Sequence, residues 1–159
     1  MGKNEKLQHR WSILCRESSI DSQTNNISLF NILEQVGIDA EVFAEKKGGA
    51  IPMNLELVTL WEKQVEEEGV DAEVEVELQD PDGKPLGKFP YTISVPKRRH
   101  RHLVKLNGLP VTEKSGRYTF KIRKREGGES KFVEVGEVPV EINIRYVLRK
   151  QREKARKIQ

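Results

Sequence analysis

The side chains in this sequence that could do chemistry are mainly cations, gathered in two short clusters. One is Lys97-Arg-Arg-His-Arg101 and the other is Lys121-Ile-Arg-Lys-Arg125. Guanidinium and ammonium groups at this density suit carboxylates or phosphates. An antiparallel meander could bring both clusters onto one end or face, where they would meet a polyanion or a charged partner. The candidate contacts are Arg98, Arg99, Arg101, Arg123, Lys124 and Arg125.

A third group of cations forms the C-terminal segment. Residues 145–159 hold seven basic residues and one acidic residue, a charge of +6, so the preceding residues carry −3 of the overall +3. The segment contains no Gly or Pro, and its apolar residues form no continuous stripe, which predicts a helical or disordered basic tail. Its candidate contacts are Arg149, Lys150, Arg152, Lys154, Arg156 and Lys157.

These cations have two interpretations. A nucleic-acid-binding surface would use them against the phosphate backbone, but aromatic residues are not interleaved with them and no known nucleic-acid motif occurs. A solvated hairpin tip and a solubilising tail would have the same composition. An acidic stretch between Glu62 and Glu77 adds the possibility of docking head to tail with another copy or with a charged protein.

Other reactive side chains give weaker signals. His100 and His102 would share one face of a strand, as two zinc ligands might, but a third ligand is missing and arginines surround them. Cys15 is predicted to be a small buried residue, since no base can be placed beside it. No phosphate-binding glycine loop, zinc-protease motif or nucleophile elbow occurs in the sequence. We therefore expect no catalytic, metal or cofactor residues.

The composition predicts one domain with a core. Hydrophobic residues make up 36% of the chain and charged residues 33%. The single cysteine excludes an intrachain disulfide. The N-terminus lacks the apolar run of a signal peptide and no stretch is long and apolar enough to span a membrane, so we expect a cytoplasmic protein.

Period-two alternation dominates the chain. In Gly116–Arg123, Tyr118, Phe120 and Ile122 fall on one face and polar side chains on the other, which predicts a strand with one buried face. Similar runs separated by Gly, Pro, Asn and Asp predict eight or nine strands. Early in the chain, a strand has a strongly apolar face formed by Trp11, Ile13 and Cys15. Residues 27–36 are predicted to be the hairpin partner of this strand. Residues 42–49 are predicted to form a short edge element and a loop.

The sequence thus predicts an all-β, immunoglobulin-like antiparallel β-sandwich. The expected organisation is a disordered N-terminus at residues 1–8, a single sandwich domain at residues 9–144 and the basic tail at residues 145–159.

Two stretches resemble a family of small bacterial β-sandwich proteins of unknown function. The first is Trp11-Ser-Ile-Leu-Cys-Arg-Glu-Ser-Ser-Ile-Asp, followed by Asn26-Ile-Ser-Leu-Phe-Asn-Ile-Leu-Glu-Gln-Val36. The second is Ser115-Gly-Arg-Tyr-Thr-Phe-Lys-Ile with the later Val-Pro-Val-Glu-Ile strand. The resemblance covers about half of the chain and implies the sandwich fold, but it supplies no site residue.

The expected function is a non-catalytic binding or protein-interaction module, with a protein partner or a second copy as its ligand. The alternative is a nucleic-acid-binding accessory protein that uses the same cations. A third possibility is a carbohydrate-binding or hydrolytic sandwich, which would need a cleft with convergent carboxylates or aromatic side chains.

Overall fold

A computed structural model describes residues 5–41, 49–64 and 69–146 of the chain. These residues form eleven strands. Two of the strands are only two residues long, and the other nine have at least five residues. The strands are β1 (Leu7–Ile20), β2 (Ile27–Ile32), β3 (Gln35–Asp39), β4 (Ala50–Ile51), β5 (Leu55–Lys63), β6 (Val70–Gln79), β7 (Pro85–Val95), β8 (Arg99–Leu106), β9 (Leu109–Pro110), β10 (Gly116–Glu126) and β11 (Val133–Arg145).

The nine longer strands form two sheets. The first sheet has the order β2-β1-β5-β8, and the second has the order β3-β11-β10-β6-β7. The short strands β4 and β9 pair in a separate ribbon. All pairings are antiparallel except that of β3 with β11, which is parallel. The prediction of a purely antiparallel fold is therefore wrong at this pair, because the chain crosses from the first sheet to the second between β2 and β3.

The inner faces of the two sheets share one hydrophobic core. Leu57 and Trp61 of the first sheet and Val76, Phe120 and Ile122 of the second belong to a single cluster of fully buried side chains. Each strand places alternate residues inward, and removing these apolar side chains from water is the main favourable contribution to folding. The all-β prediction is confirmed, and with it a β-sandwich in the broad sense.

The extended run at residues 27–36 is divided into two strands. Its first part, β2, pairs with β1 as the predicted hairpin partner. Asn31 then adopts a left-handed backbone conformation with φ of 53°, and the chain continues into β3 in the other sheet. Asn is one of the few residues that tolerate this conformation, and here it lies one residue before the end of β2.

Several expectations concern residues outside the described ranges. The short element predicted at residues 42–49 falls almost entirely there, as does the tail beyond Tyr146. In the described part of the chain, no helix is long and apolar enough to cross a membrane.

Candidate partner-binding surface

The outer face of the first sheet carries an apolar layer. Here Trp11 pairs with Leu60 and Ile13 with Val58, whereas the next residue, Leu14, pairs with Leu57 on the core side. A register shift between His9 and Trp11 sets this phase. The strongly apolar face seen in the sequence of β1 therefore points away from the shared core.

The end of the β1–β2 hairpin folds over this apolar layer. It borders an open cleft of about 690 Å³ between the hairpin and strands β5 and β8. Cleft volumes of this size are typical of ligand sites. Its apolar lining consists of Trp11, Ile20, Ile27, Leu60 and Leu103.

The hairpin loop, residues Asp21–Asn26, forms one rim of the cleft and is built by internal hydrogen bonds. The Asp21 carboxylate accepts bonds from the backbone N–H groups of Gln23 and Thr24, both at 2.8 Å. These bonds lower the pKa of Asp21. Asn25 has a φ of 61° and donates its backbone N–H to the Asp21 carbonyl at 2.9 Å. The rim is therefore a defined loop.

Strand β8 supplies the opposite rim and connects it to the loop. Nη2 of Arg101 donates to the backbone carbonyl of Asn25 at 2.6 Å and to its side-chain oxygen at 3.0 Å. Arg101, Leu103 and Lys105 lie on the outer side of β8, because their pairing partners on β5 are outward-facing residues. Arg99 lies on the same side and also lines the cleft.

Next to the cleft, one carboxylate is surrounded by three arginines. The Glu62 side chain is 11% exposed and lies 3.3 Å from Nε of Arg10. Nε of Arg98 and Nε of Arg99 each lie 3.8 Å from its oxygens. Together with Arg101, these three arginines form what we call the arginine cluster: Arg10, Arg98, Arg99 and Arg101. Four positive charges and the single negative charge of Glu62 give the cluster a formal balance of +3.

The second basic cluster lies on the other sheet and is neutralised. On the outer face of β10, Arg123 contacts Glu75 at 3.3 Å and Glu77 at 2.8 Å. Nε of Arg125 donates to Glu73 at 2.8 Å, and its guanidinium lies over the ring of Phe132. These cations have carboxylate partners on β6, so the two clusters occupy different outer faces and have different charge balances.

Lys124 points into the interior. It is 2% exposed, its ammonium group donates to the carbonyl oxygen of Leu7, and it lies 3.4 Å from Glu126. An inward-facing lysine of this kind is a structural element of the sheet end, so it is not available for surface contact. The predicted tail contacts Arg149, Lys150, Arg152, Lys154, Arg156 and Lys157 lie outside the described residues.

The acidic face of β6 belongs to this ion-pair ladder. Burial alone would raise the pKa of Glu77, but hydrogen bonds from Gln79 and Arg123 and the nearby charge of Arg123 lower it overall. A catalytic acid needs a raised pKa, and Glu77 has the opposite shift. The carboxylates of β6 therefore have the character of structural ion pairs.

The two histidines of β8 lie on the inner side of the strand, opposite the arginines. His102 stacks on Tyr91 of β7 with ring centroids 3.9 Å apart, and His100 lies 6.3 Å from His102. Burial lowers the pKa of both, and the His100 charge lowers that of His102 further. Within the described ranges, no three His, Cys, Asp or Glu side chains are arranged to hold a metal ion.

Cys15 is fully buried and is a free thiol, as predicted. Burial raises the pKa of this thiol, and the nearby charge of Glu56 raises it further. Both effects favour the neutral thiol over the nucleophilic thiolate. Cys15 therefore packs as a small apolar side chain.

Sequence reasoning missed four residues that shape this surface. For Trp11 the sequence predicts only an apolar strand face, and it gives no reason to single out Arg10, Asn25 or Glu62. The placement of Trp11 depends on the register shift in β1, and the contacts of Arg10, Asn25 and Glu62 join positions far apart in the chain. The excess of acidic residues between Glu62 and Glu77 is the signal in the sequence that one of these carboxylates could meet cations from elsewhere in the chain.

No protein-family model matches the chain, and no curated protein matches it significantly. Among solved structures, the chain is similar to the alkylpurine DNA glycosylase AlkC from Pseudomonas fluorescens, bound to DNA containing an abasic-site analogue. The similarity covers 87% of this chain and 30% of the glycosylase, with 8% identity and a TM-score of 0.47. The chain is also similar to a family 123 glycoside hydrolase from Clostridium perfringens. The similarity covers 75% of this chain and 24% of the hydrolase, with 8% identity and a TM-score of 0.39. The chain spans less than a third of either protein, and similarities this remote carry no argument.

Proposed function

We propose that this protein is a non-catalytic interaction module that recognises an acidic partner protein through the arginine cluster. The observation that carries the proposal is the imbalance at Glu62, where one carboxylate faces three guanidinium groups. The side chains of Arg98 and Arg99 remain 77% and 70% exposed. Exposed guanidinium groups in excess over their carboxylate attract an anionic surface and orient it by bidentate hydrogen bonds.

The surroundings of the cluster favour a protein as the partner. The cluster adjoins a cleft whose lining includes a tryptophan and two leucines. Protein interfaces combine an apolar centre containing aromatic residues with a polar rim in which arginine is enriched. The phosphate backbone of a duplex needs the cations but makes no use of such an apolar centre.

The framework that presents this surface is, we propose, an immunoglobulin-like sandwich. Two features support it. First, the connection from β5 to β6 and that from β7 to β8 both cross between the sheets, as in Greek-key sandwiches. Second, the buried Tyr118, near the start of β10, donates its hydroxyl to the carbonyl of Lys114 at 2.7 Å. This matches the tyrosine corner of that fold class.

We also propose a cytoplasmic location, because the single cysteine cannot form the intrachain disulfides that are typical of oxidising compartments.

The test is a binding titration with a fluorescent peptide of alternating Glu and Ser residues at low salt. We expect saturable binding to the full chain. The double variant Arg98→Gln/Arg99→Gln should bind about tenfold more weakly, because it removes two exposed charges from the arginine cluster. Added salt should weaken binding, since exposed charges are screened.

The matched control is the double variant Arg117→Gln/Arg145→Gln. These arginines are also exposed, but they lie on the second sheet, where Arg117 pairs with Glu141 and Arg145 with Asp39. The control changes the net charge equally and should bind the peptide like the native chain. The proposal is wrong if the two double variants lose affinity equally, or if the native chain does not bind.

A nucleic acid is the second candidate partner, because the same exposed arginines, together with the cations predicted for the tail, would suit a phosphate backbone. A duplex DNA titration across a salt series separates the two candidates. Binding to DNA that is tighter than to the acidic peptide, with a steep linear fall of log K against log salt, would favour the accessory-protein alternative. Glutamine at the six tail positions from Arg149 to Lys157 should then abolish that binding.

A further inference from the structure

The floor of the cleft is more apolar than an electrostatic contact requires. Trp11, Leu60 and Leu103 lie on its floor and are only partly buried. Their exposed surface belongs to the same outer face as the fully buried Val58. A partner that seats an apolar group here would remove this surface from water, at roughly 25 cal/mol for each Å² buried.

Arg99 and Arg101 on the β8 rim are placed to hold charged groups next to such an apolar group. Arg101 uses only Nη2 for its bonds to Asn25, so Nε and Nη1 make no hydrogen bond within the described part of the chain. Arg99 lies 3.8 Å from Glu62, which is an ion-pair distance and too long for a hydrogen bond. Both guanidinium groups therefore retain donors for a carboxylate.

From this geometry we infer that the partner presents a linear segment in which an aromatic residue is flanked by acidic residues. The inference rests on the proposed function, and it names the anchor that the acidic partner would carry. The aromatic ring would lie in the cleft against Trp11, and the flanking carboxylates would meet Arg99 and Arg101. A volume of about 690 Å³ is larger than one side chain needs, so the backbone on each side of the ring can enter as well.

An aromatic anchor suits this cleft for physical reasons. Aromatic pairs gain a specific stacking or edge contribution beyond the area they bury. A guanidinium group next to the ring adds a cation–π attraction. The hairpin loop is already fixed by its own hydrogen bonds, so binding does not have to order it, which lowers the entropic cost of association.

The experiment uses two fluorescent peptides that differ only at their centre, one with Phe and one with Ala between the same Glu and Ser flanks. We expect the full chain to bind the Phe peptide about tenfold more tightly, as for a central interface anchor. Trp11→Leu and, separately, Leu103→Gln should remove this preference, because each lowers the affinity for the Phe peptide much more than the affinity for the Ala peptide. The second variant keeps the test valid if the first folds poorly, and circular dichroism checks both.

The outcomes separate this inference from the proposed function. If the Phe and Ala peptides bind equally and both depend on Arg98 and Arg99, the acidic-partner proposal stands and the aromatic anchor is rejected. If the Phe preference persists in both cleft variants, the ring binds elsewhere and the inference is also rejected. If neither peptide binds, both proposals fall.

Discussion

Nη2 of Arg101 lies 2.6 Å from the carbonyl oxygen of Asn25, a residue 76 positions earlier in the chain. This contact joins the tip of the β1–β2 hairpin to the edge strand β8, on the opposite side of the first sheet. Strand β5 lies between β1 and β8, so the hairpin has to fold across the outer face for the contact to form. The same bonds thereby close one side of the cleft.

Replacing this arginine should loosen the loop without unfolding the protein. In Arg101→Ala the loop loses two hydrogen bonds from a charged donor, and we expect a local cost of about 0.5–1.5 kcal/mol. Amide hydrogen exchange should therefore accelerate at Asn25, whose N–H bonds to Asp21, by about three- to tenfold. The global free energy of unfolding should change little, because the contact is at the surface.

The control for the loop is Arg117→Ala, which removes an exposed arginine from the second sheet. It should leave exchange at Asn25 unchanged. Equal rates in the native chain and in Arg101→Ala would show that the loop is held without Arg101.

Gly136 on β11 should be intolerant of a methyl group. A Cβ built at this position would lie 2.6 Å from Cε1 of His9, and His9 is itself held between Trp61, at 5.2 Å between ring centroids, and Ser12, at 2.6 Å. We expect Gly136→Ala to lower the free energy of unfolding by about 1–3 kcal/mol, the usual cost of overpacking. Urea denaturation measures it.

A double-mutant cycle identifies the cause of that cost. In a His9→Ala background the ring is absent, so the added methyl group should be tolerated and most of the destabilisation should disappear. A Gly136→Ala penalty that is the same in both backgrounds would mean that the backbone, and not the histidine, excludes a side chain here.

Stability should fall as the solution is acidified through the histidine range. Burial lowers the pKa of His9, His100 and His102 in the folded protein. Below about pH 6.5 the unfolded chain takes up protons at these residues before the folded chain does, so the unfolded state is favoured as the pH decreases. The free energy of unfolding, measured in urea from pH 7.5 to 5.5, should therefore decrease.

The variant His100→Gln/His102→Gln should flatten this dependence, because only His9 then remains to contribute. His102 contacts Tyr91, whose pKa is raised by burial, and that hydroxyl stays protonated throughout the range. An unchanged slope in the double variant would assign the pH dependence to other groups.

Much of the fold follows from local patterns, and much of the surface does not. The alternation in residues 116–123 and 71–78 predicts β10 and β6 and their buried faces, because a two-residue period has one structural meaning when the apolar set is this regular. The face of β1 could not be predicted in the same way. Both of its sides are partly apolar, and the register shift at Trp11 decides which of them meets the core.

The two basic clusters illustrate the same limit. As sequence they are equivalent, yet Arg123 meets two carboxylates of a neighbouring strand, whereas Arg98 and Arg99 share Glu62 with Arg10. Cross-strand pairing determines the net charge of a surface, and it depends on strand order, which a single sequence does not specify. The position of the cleft has the same origin, since it requires the hairpin to fold over β8.

The most direct test of the proposed binding surface is a nuclear magnetic resonance titration of the full chain with the Phe-centred acidic peptide. The two tryptophan indole N–H signals are separate reporters, because Trp11 lines the cleft and Trp61 is fully buried and donates its indole N–H to Thr59 at 3.0 Å. We predict that the Trp11 signal and the amides of Asn25 and Arg101 shift progressively to saturation while the Trp61 signal stays in place. Saturable binding that moves the amides of Arg117 and Arg123 and leaves Trp11 unchanged would contradict the account.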